Sequence, residues 1–462
     1  MEKRQKTEDK IIFITKCVLV VFGLITAIPL ANHLFRDIYK VACVWGFICV
    51  IFLFIKRRKN FWSKEYLLLT LFFCSYILTI MIGKSQHLIN EIAMLGYTGV
   101  LFFVLTYCDK GLSKKDIEDE LRVFSWILSI IPFVFSSIGI LMFIFSISGK
   151  IRILGNVYTF GMFENRLWGL YNPNIGSVIN LLSILTSVFL LRHTKKHKVF
   201  LWSNLILQLL CLILTQSRGT TVCALVFVVV YLFFVKKYNR DFSAGWKKLL
   251  YKITVVIGTC ILMLGAETIV REGMAEIPVI VAKITGGSIS DAIAESAKQG
   301  LDRLDKKENN INSISTGRSD MWKIGIDAFK DKPVLGIGFR SIDDVLVLKM
   351  TKGGYKNSAG GGLHNVYITV LVSSGIVGFA IIVLFLLIIL LRVVRILCDP
   401  KEYQYVKLMS ALIPSILVSE LVESRIFFGM NIWAFAFWII VGYVFFYTKK
   451  GEVVDNNNCT SV

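Results

Sequence analysis

His364 and Asn365 stand side by side at the polar end of a long apolar run, with Gly375 and Gly378 inside that run. An imidazole changes charge near neutral pH, so at a membrane–water boundary it is suited to moving a proton. Three arginines occupy comparable junctions: Arg166, just before Asn172-Pro173-Asn174, Arg218 in Ser217-Arg218-Gly219, and Arg318 in Gly317-Arg318-Ser319. A guanidinium grips phosphate through parallel N–H donors, so arginines gathered on one side of a membrane point to a phosphorylated substrate. Each arginine taken alone could equally cap backbone carbonyls or reach toward the interface with its charged end. Glu420 and Glu423, three residues apart and followed by Arg425, either position an arginine, hold substrate hydroxyls or form a structural ion pair.

Such residues need an architecture that brings them to a bilayer surface, and composition supplies one. Hydrophobic residues make up 55% of the 462 and charged ones only 18%, which excludes an ordinary soluble domain. Twelve apolar runs are long enough to cross ~30 Å of hydrocarbon as helices. They begin at about 11–30, reach the ninth at about 249–266, and end with 364–391, 406–423 and 429–447. Lys56 to Lys59, Lys114-Lys115, Lys195 to Lys198 and Lys236 to Lys248 mark the cytoplasmic turns, so both termini are expected inside. The same clusters explain the net charge of +20 without a nucleic-acid partner. The first run lacks a small-residue cleavage site and is expected to stay as a helix.

The expected organisation is therefore 1–266 with nine spans, 267–363 as one large extracytoplasmic loop, 364–447 with three spans, and 448–462 as a cytoplasmic tail. The loop carries 14 Lys and Arg against 13 Asp and Glu, and long loops escape the charge rule. Its helical periodicity predicts an amphipathic helix over about 289–304 and a second beginning near Ser319, with Trp322, Ile326 and Phe329 on one face. Pro333 ends that helix, Gly336-Ile337-Gly338 is expected as a tight turn, and Gly353 to Gly362 as a hinge before His364. A smaller outer loop spans about 148–173. None of the ten cysteines falls in an expected outer loop and none shows Cys-x-x-Cys spacing, so neither a disulfide framework nor a cysteine-held metal cofactor is expected.

Four motifs in order carry a resemblance: Arg166-x-x-Gly with Asn172-Pro173-Asn174, Ser217-Arg218-Gly219, Gly317-Arg318-x-x-x-Trp322 with Gly336-x-Gly338, and His364-Asn365-x9-Gly375-x-x-Gly378. Together they are similar to the O-antigen ligase and polymerase family of polytopic membrane enzymes. The resemblance implies an all-α integral membrane protein of about 12 transmembrane helices, C-type glycosyltransferase-like, in the plasma membrane of a bacterium. It implies metal-independent, inverting transfer of glycans held on undecaprenyl diphosphate, at an extracytoplasmic site. Arg218 and Arg318 would hold the diphosphate and His364 would assist deprotonation of the acceptor hydroxyl. Arg166, Asn365, Trp322, Glu420 and Glu423 complete the set as substrate contacts. The expected activity is polymerisation of lipid-linked repeat units into capsule, exopolysaccharide or O-antigen, with a flippase and a chain-length regulator as partners. A ligase passing a glycan to another acceptor is the alternative within the family. A polysaccharide transporter is the alternative outside it, disfavoured by the lack of an internal repeat.

Overall fold

The computed structural model describes residues 2–61, 63–83, 87–109, 112–163, 166–236, 245–285, 318–352, 362–399 and 404–458. The first half of the chain forms α1 (Glu2–Ile25), α2 (Pro29–Lys56), α3 (Lys64–Gly83), α4 (Leu88–Gly99, continued as π-helix by Val100–Leu105) and α5 (Lys114–Ile144). Next come strands β1 (Gly149–Ile153), β2 (Asn156–Phe163) and β3 (Arg166–Gly169). They are followed by α6 (Pro173–His193), α7 (Lys198–Thr215), α8 (Arg218–Val230, with a π-helical end), α9 (Gly245–Ala275) and α10 (Ile277–Thr285). The rest is α11 (Arg318–Asp331), α12 (Arg340–Lys352), α13 (Val366–Cys398), α14 (Gln404–Ser419) and α15 (Ile432–Asn458).

This is an all-α integral membrane protein in its spans. Among the described residues nine helices are long and apolar enough to cross a bilayer, and Tyr405–Ser419 and Ile432–Tyr447 are shorter apolar stretches. Three differences from the sequence expectation matter. The eleventh run stops being helical at Ser419, so Glu420 and Glu423 lie in the following loop and not inside a span. The smaller outer loop folds as an antiparallel sheet in the order β1-β2-β3. The helix of the large loop begins at Arg318, one residue before the proposed Ser319 cap, and a further helix, α12, follows it. The amphipathic helix expected over 289–304 and most of the glycine-rich hinge lie outside the described residues.

The described chain divides into two units, one of residues 1–19, 40–113 and 308–462 and the other of 20–39 and 114–307. In the first, the buried rings of Phe72, Phe102, Phe385, Phe427, Phe428 and Trp438 pack together, with Phe102 and Trp438 only 4.7 Å apart between centroids. Lipid tails are as apolar as these rings, so their contribution is close-fitting dispersion and not expulsion from water.

α13 is broken at Gly375, whose φ of 66° and ψ of −171° are not helical. A break inside an apolar bundle leaves peptide groups that need partners. The segment Pro333 to Gly338 provides them: Ile337 N donates to Val372 O and Gly338 N to Ser373 O, each at 3.0 Å, while Ile376 N donates to Pro333 O (2.9 Å) and Val377 N to Val334 O (3.3 Å). The Gly336-x-Gly338 motif is thus an edge paired to a broken helix as well as a turn. A Cβ on Gly375 would stand 2.2 Å from Val334 O, and one on Gly336 would stand 2.6 Å from Gly375 N. Only glycine fits either position. Farther along the same segment Thr79 Oγ1 donates to Leu335 O (2.6 Å), and Glu91, fully buried, accepts from Tyr76 OH and, at 2.8 Å, from Arg340 N at the start of α12.

In the second unit α5, α6 and α7 are joined by a buried polar seam. Ser136 Oγ donates to Gln208 Oε1 (3.0 Å), Gln208 Nε2 to Asn204 Oδ1 (3.0 Å), and Asn204 Nδ2 to Ser183 Oγ (3.0 Å) and Ser187 Oγ (2.8 Å). Small polar residues of this kind hold helices together in lipid at ~0.6–2 kcal/mol per bond.

Candidate functional site

The first unit brings together Arg318, His364, Glu423 and Arg425 at the mouth of α13. Asn365 starts that helix as its N-cap: Asn365 Oδ1 accepts from Ile368 N at 3.0 Å, and Asn365 Nδ2 donates to Leu421 O at 2.9 Å. Val366 N donates to Glu420 O at 3.0 Å and Tyr367 OH to Leu417 O at 2.8 Å. Four successive residues of the motif are therefore fixed to the end of α14 and the loop after it, or aimed at it. His364 itself has φ of 47°, a left-handed backbone that costs a non-glycine residue ~1–2 kcal/mol. The neighbouring anchors hold it there.

Glu423 is the centre of the cluster. Its Oε1 lies 3.3 Å from an Arg318 terminal nitrogen, and its Oε2 lies 3.1 Å from an Arg425 nitrogen and 3.5 Å from His364 Nδ1. Arg318 also donates to Val422 O at 2.6 Å. Burial alone would push the Glu423 carboxyl up, but Arg425, the His364 contact and Arg318 together outweigh it and hold the group down to about 2. Glu423 is therefore held in its anionic form. With Nδ1 turned to that anion, the imidazole carries its proton on Nδ1 when neutral and leaves Nε2 with the lone pair that can accept one. The His364 side chain is 29% exposed, against 10% for Glu423. The ring is reachable while its partner is screened.

Glu420 fastens the turn that presents Glu423. Its Oε2 accepts from Arg425 N at 2.8 Å and Ile426 N at 3.3 Å. Burial pushes its carboxyl up to about 7, although those two N–H groups and Arg425 pull the other way. Its Oε1 is buried without a hydrogen-bond partner among the described residues. Trp322, expected as a substrate contact, donates from Nε1 to Leu363 O at 2.8 Å and so docks α11 beside His364. Gly325 on the same helix lets the Leu363 side chain sit flush against it.

Arg218 and Arg166 belong to the other unit. Arg218 is exposed at the first position of α8, after Gln216 in a left-handed conformation and Ser217 at the cap. Arg166 is only 8% exposed. Its Nε donates to Thr215 O at 2.8 Å and a terminal nitrogen to Asn174 Oδ1 at 2.5 Å, while Asn172 Oδ1 accepts from Asn174 N. The Arg166 motif therefore ties β3 to the start of α6 and the end of α7. In this position its guanidinium caps the end of α7. Arg425 is the functional candidate that residue-by-residue reading passed over; its signal was the Glu423-x-Arg425 spacing in a turn following an apolar run.

Span count, a broken helix and an ion cluster at its mouth define a polytopic membrane protein with a charged cluster at the end of an apolar helix. Residues 203–383 match the O-antigen ligase family. That match covers less than half of the 462 residues and is what this part of the chain is similar to. It includes Arg218, Arg318, His364, Gly375 and Gly378, and leaves out Arg166, Glu420, Glu423 and Arg425. No curated protein matches the chain.

Proposed function

We propose that this protein polymerises oligosaccharide repeat units carried on undecaprenyl diphosphate, at the extracytoplasmic face of the plasma membrane. The observation that supports it is the carboxylate-centred cluster: one Glu423 holds a candidate base, His364, beside two guanidiniums, Arg318 and Arg425. In the reaction, His364 Nε2 takes the proton of an acceptor hydroxyl whose oxygen attacks the anomeric carbon of the donor sugar. The bond from that carbon to the diphosphate oxygen breaks, the configuration inverts, and lipid diphosphate leaves. Arg318 and Arg425 stabilise the charge that grows on the leaving group, which is where a fixed cation lowers a barrier most. Arg218 is proposed as a further phosphate contact.

The test uses purified protein in nanodiscs with a lipid-linked oligosaccharide, following chain growth on a gel. His364→Gln keeps a hydrogen-bonding side chain without a basic nitrogen, so it should abolish elongation while donor binding persists. Near-native turnover by that variant would remove the base assignment. Unchanged elongation with added chelator is expected, and loss of it would remove the metal-independent route. For orientation, a reporter active only outside the cell should work when fused after residue 310 and fail after residue 243. The family description itself favours a second reading, a ligase. Transfer to a non-identical acceptor, with no ladder of repeat units, would select it.

A further inference from the structure

The β1–β2 hairpin presents apolar side chains to its surroundings that nothing in its own unit covers. Leu154 is 71% exposed, Val157 54% and Ile151 46%. Leu154-Gly155 forms the two-residue turn, both with positive φ, 49° and 80°. Turns of that kind favour Asn, Asp or Gly at the first position. A leucine there accepts backbone strain to place an apolar group at the very tip. Lys150 and Arg152 alternate with Ile151 along β1 and are exposed as well.

The root of the sheet is firmly built in. Met162 and Leu167 are buried against Phe143 of α5 and Leu214 of α7. The eight residues of β2, at ~3.3 Å each, carry the tip roughly 25 Å from that root. A hairpin of that length could stand out in water or lie along the bilayer surface. Two observations favour the second. Asn156, beside the turn, has its Nδ2 within 3.5 Å of His33 Nδ1, and His33 lies about one helical turn from Asp37, where the apolar span of α2 begins. The exposed apolar stripe of α5, Val134, Ile138, Leu141 and Phe145, also continues to Ile147, two residues before β1 begins.

We infer that the β1–β2 hairpin is an interfacial anchor, with Leu154 at the tip and Ile151 on one face seated in the adjoining lipid leaflet, and Lys150 and Arg152, on the opposite face, at the level of its phosphates. Anionic phospholipid is the partner this chemistry fits: apolar tip, flanking cations, and a location at the end of a span. The anchor has a mechanical consequence. β2 pairs with β3, and Arg166 on β3 donates to Thr215 O, three residues before Arg218. A tip fixed in the leaflet thereby sets the depth of Arg218 relative to the headgroups, where a lipid-linked diphosphate must lie. This consequence rests on the proposed function; the anchoring does not.

The experiment places a nitroxide-bearing amino acid at residue 154, and in a separate sample at residue 195 in a polar turn, in nanodiscs of phosphatidylcholine with phosphatidylglycerol. Collision rates with oxygen and with a water-soluble nickel chelate report depth. At 154 oxygen should dominate, and at 195 the chelate. Equal chelate access at both sites would overturn the anchor, and so would a short spin–spin distance between tips of two copies, which would make a second chain the occupant. Leu154→Asp should bring residue 151, labelled in the same way, into chelate contact. With lipid-linked donor limiting, the same variant should raise KM several-fold with kcat little changed. Unchanged KM beside confirmed anchoring would overturn the link to Arg218. Wild-type protein inert toward every lipid-linked donor would overturn the enzymatic reading and leave the depth result standing.

Discussion

Glu423→Gln tests whether the carboxylate is the centre of the site or a bystander. The isosteric amide removes the charge shared by Arg318, Arg425 and His364 while keeping its volume. The folded carboxyl is held at about 2, against an ordinary value of 4.5. A depressed carboxylate contributes stability that is complete above its unfolded value and is lost as pH falls through its folded value. The difference of about two and a half units corresponds to about 3 kcal/mol at neutral pH. The side chain is only 10% exposed, so solvent screening removes little of it. The variant should melt several degrees below wild type at pH 7, and the gap should narrow from pH 4.5 downward. Catalysis should suffer separately, because His364 loses the anion beside Nδ1; a charged contact of roughly 1.5–3 kcal/mol predicts a ~10–150-fold fall in turnover. Tryptophan-detected melting in nanodiscs across pH and chain growth at pH 7 measure the two effects. Equal melting at pH 7 would refute the charge reasoning, and undiminished turnover would refute the orienting role.

Arg318→Ala should stop elongation at unchanged protein level, and Arg318→Lys should restore it only in part, since a single ammonium cannot bridge Val422 O and Glu423 together. Glu420→Gln should act with the opposite pH sign: a carboxyl raised by burial to about 7 gives stability that is present below 4.5 and lost as pH rises through 7, so the amide should gain up to about 3 kcal/mol over wild type at pH 8 and nothing at pH 4. A melting curve equally pH-dependent in both proteins would count against it. Gly375→Ala, which drives a methyl into the Val334 carbonyl, should destabilise by roughly 3–5 kcal/mol and abolish activity, as judged by melting and by yield of folded protein.

The spans were legible because hydropathy is a local property of the chain, and nine of them reappear as long apolar helices. His364, Asn365 and Arg318 were legible because motif spacing and position at a span end point to chemistry. What connects them was not. Glu423 looked like an intramembrane carboxylate, because an apolar run gives no sign of where its helix stops; the stop at Ser419 follows from the turn that Glu420 closes across six residues. Arg166 and Arg218 read alike as junction arginines, and only tertiary contacts separate a capping guanidinium from an exposed one. The hairpin was missed for another reason: Lys150 to Phe163 mixes charged, apolar and glycine residues with little strict alternation, and β structure of that length depends on pairing.

The spacing of the final motif now has a physical meaning. Nine residues separate Asn365 from Gly375, and they are all of α13 that precedes its break, a piece of helix about 13 Å long. One end is capped by Asn365 and fastened to the loop bearing Glu423. The other end is broken at Gly375, where Pro333 to Gly338 takes up the unpaired peptide groups. That segment follows directly after α11, whose first residue is Arg318 and whose Trp322 is bonded to the carbonyl just before His364. His364 and Arg318 are thus carried at the starts of two short helical pieces pinned to each other at both ends. A longer or shorter interval between Asn365 and Gly375 would turn the break away from Gly336 or draw His364 away from Glu423. Inserting one residue between Val370 and Leu371 should therefore abolish activity even where the apolar length of the span is preserved, because the constraint is register and not hydrophobicity.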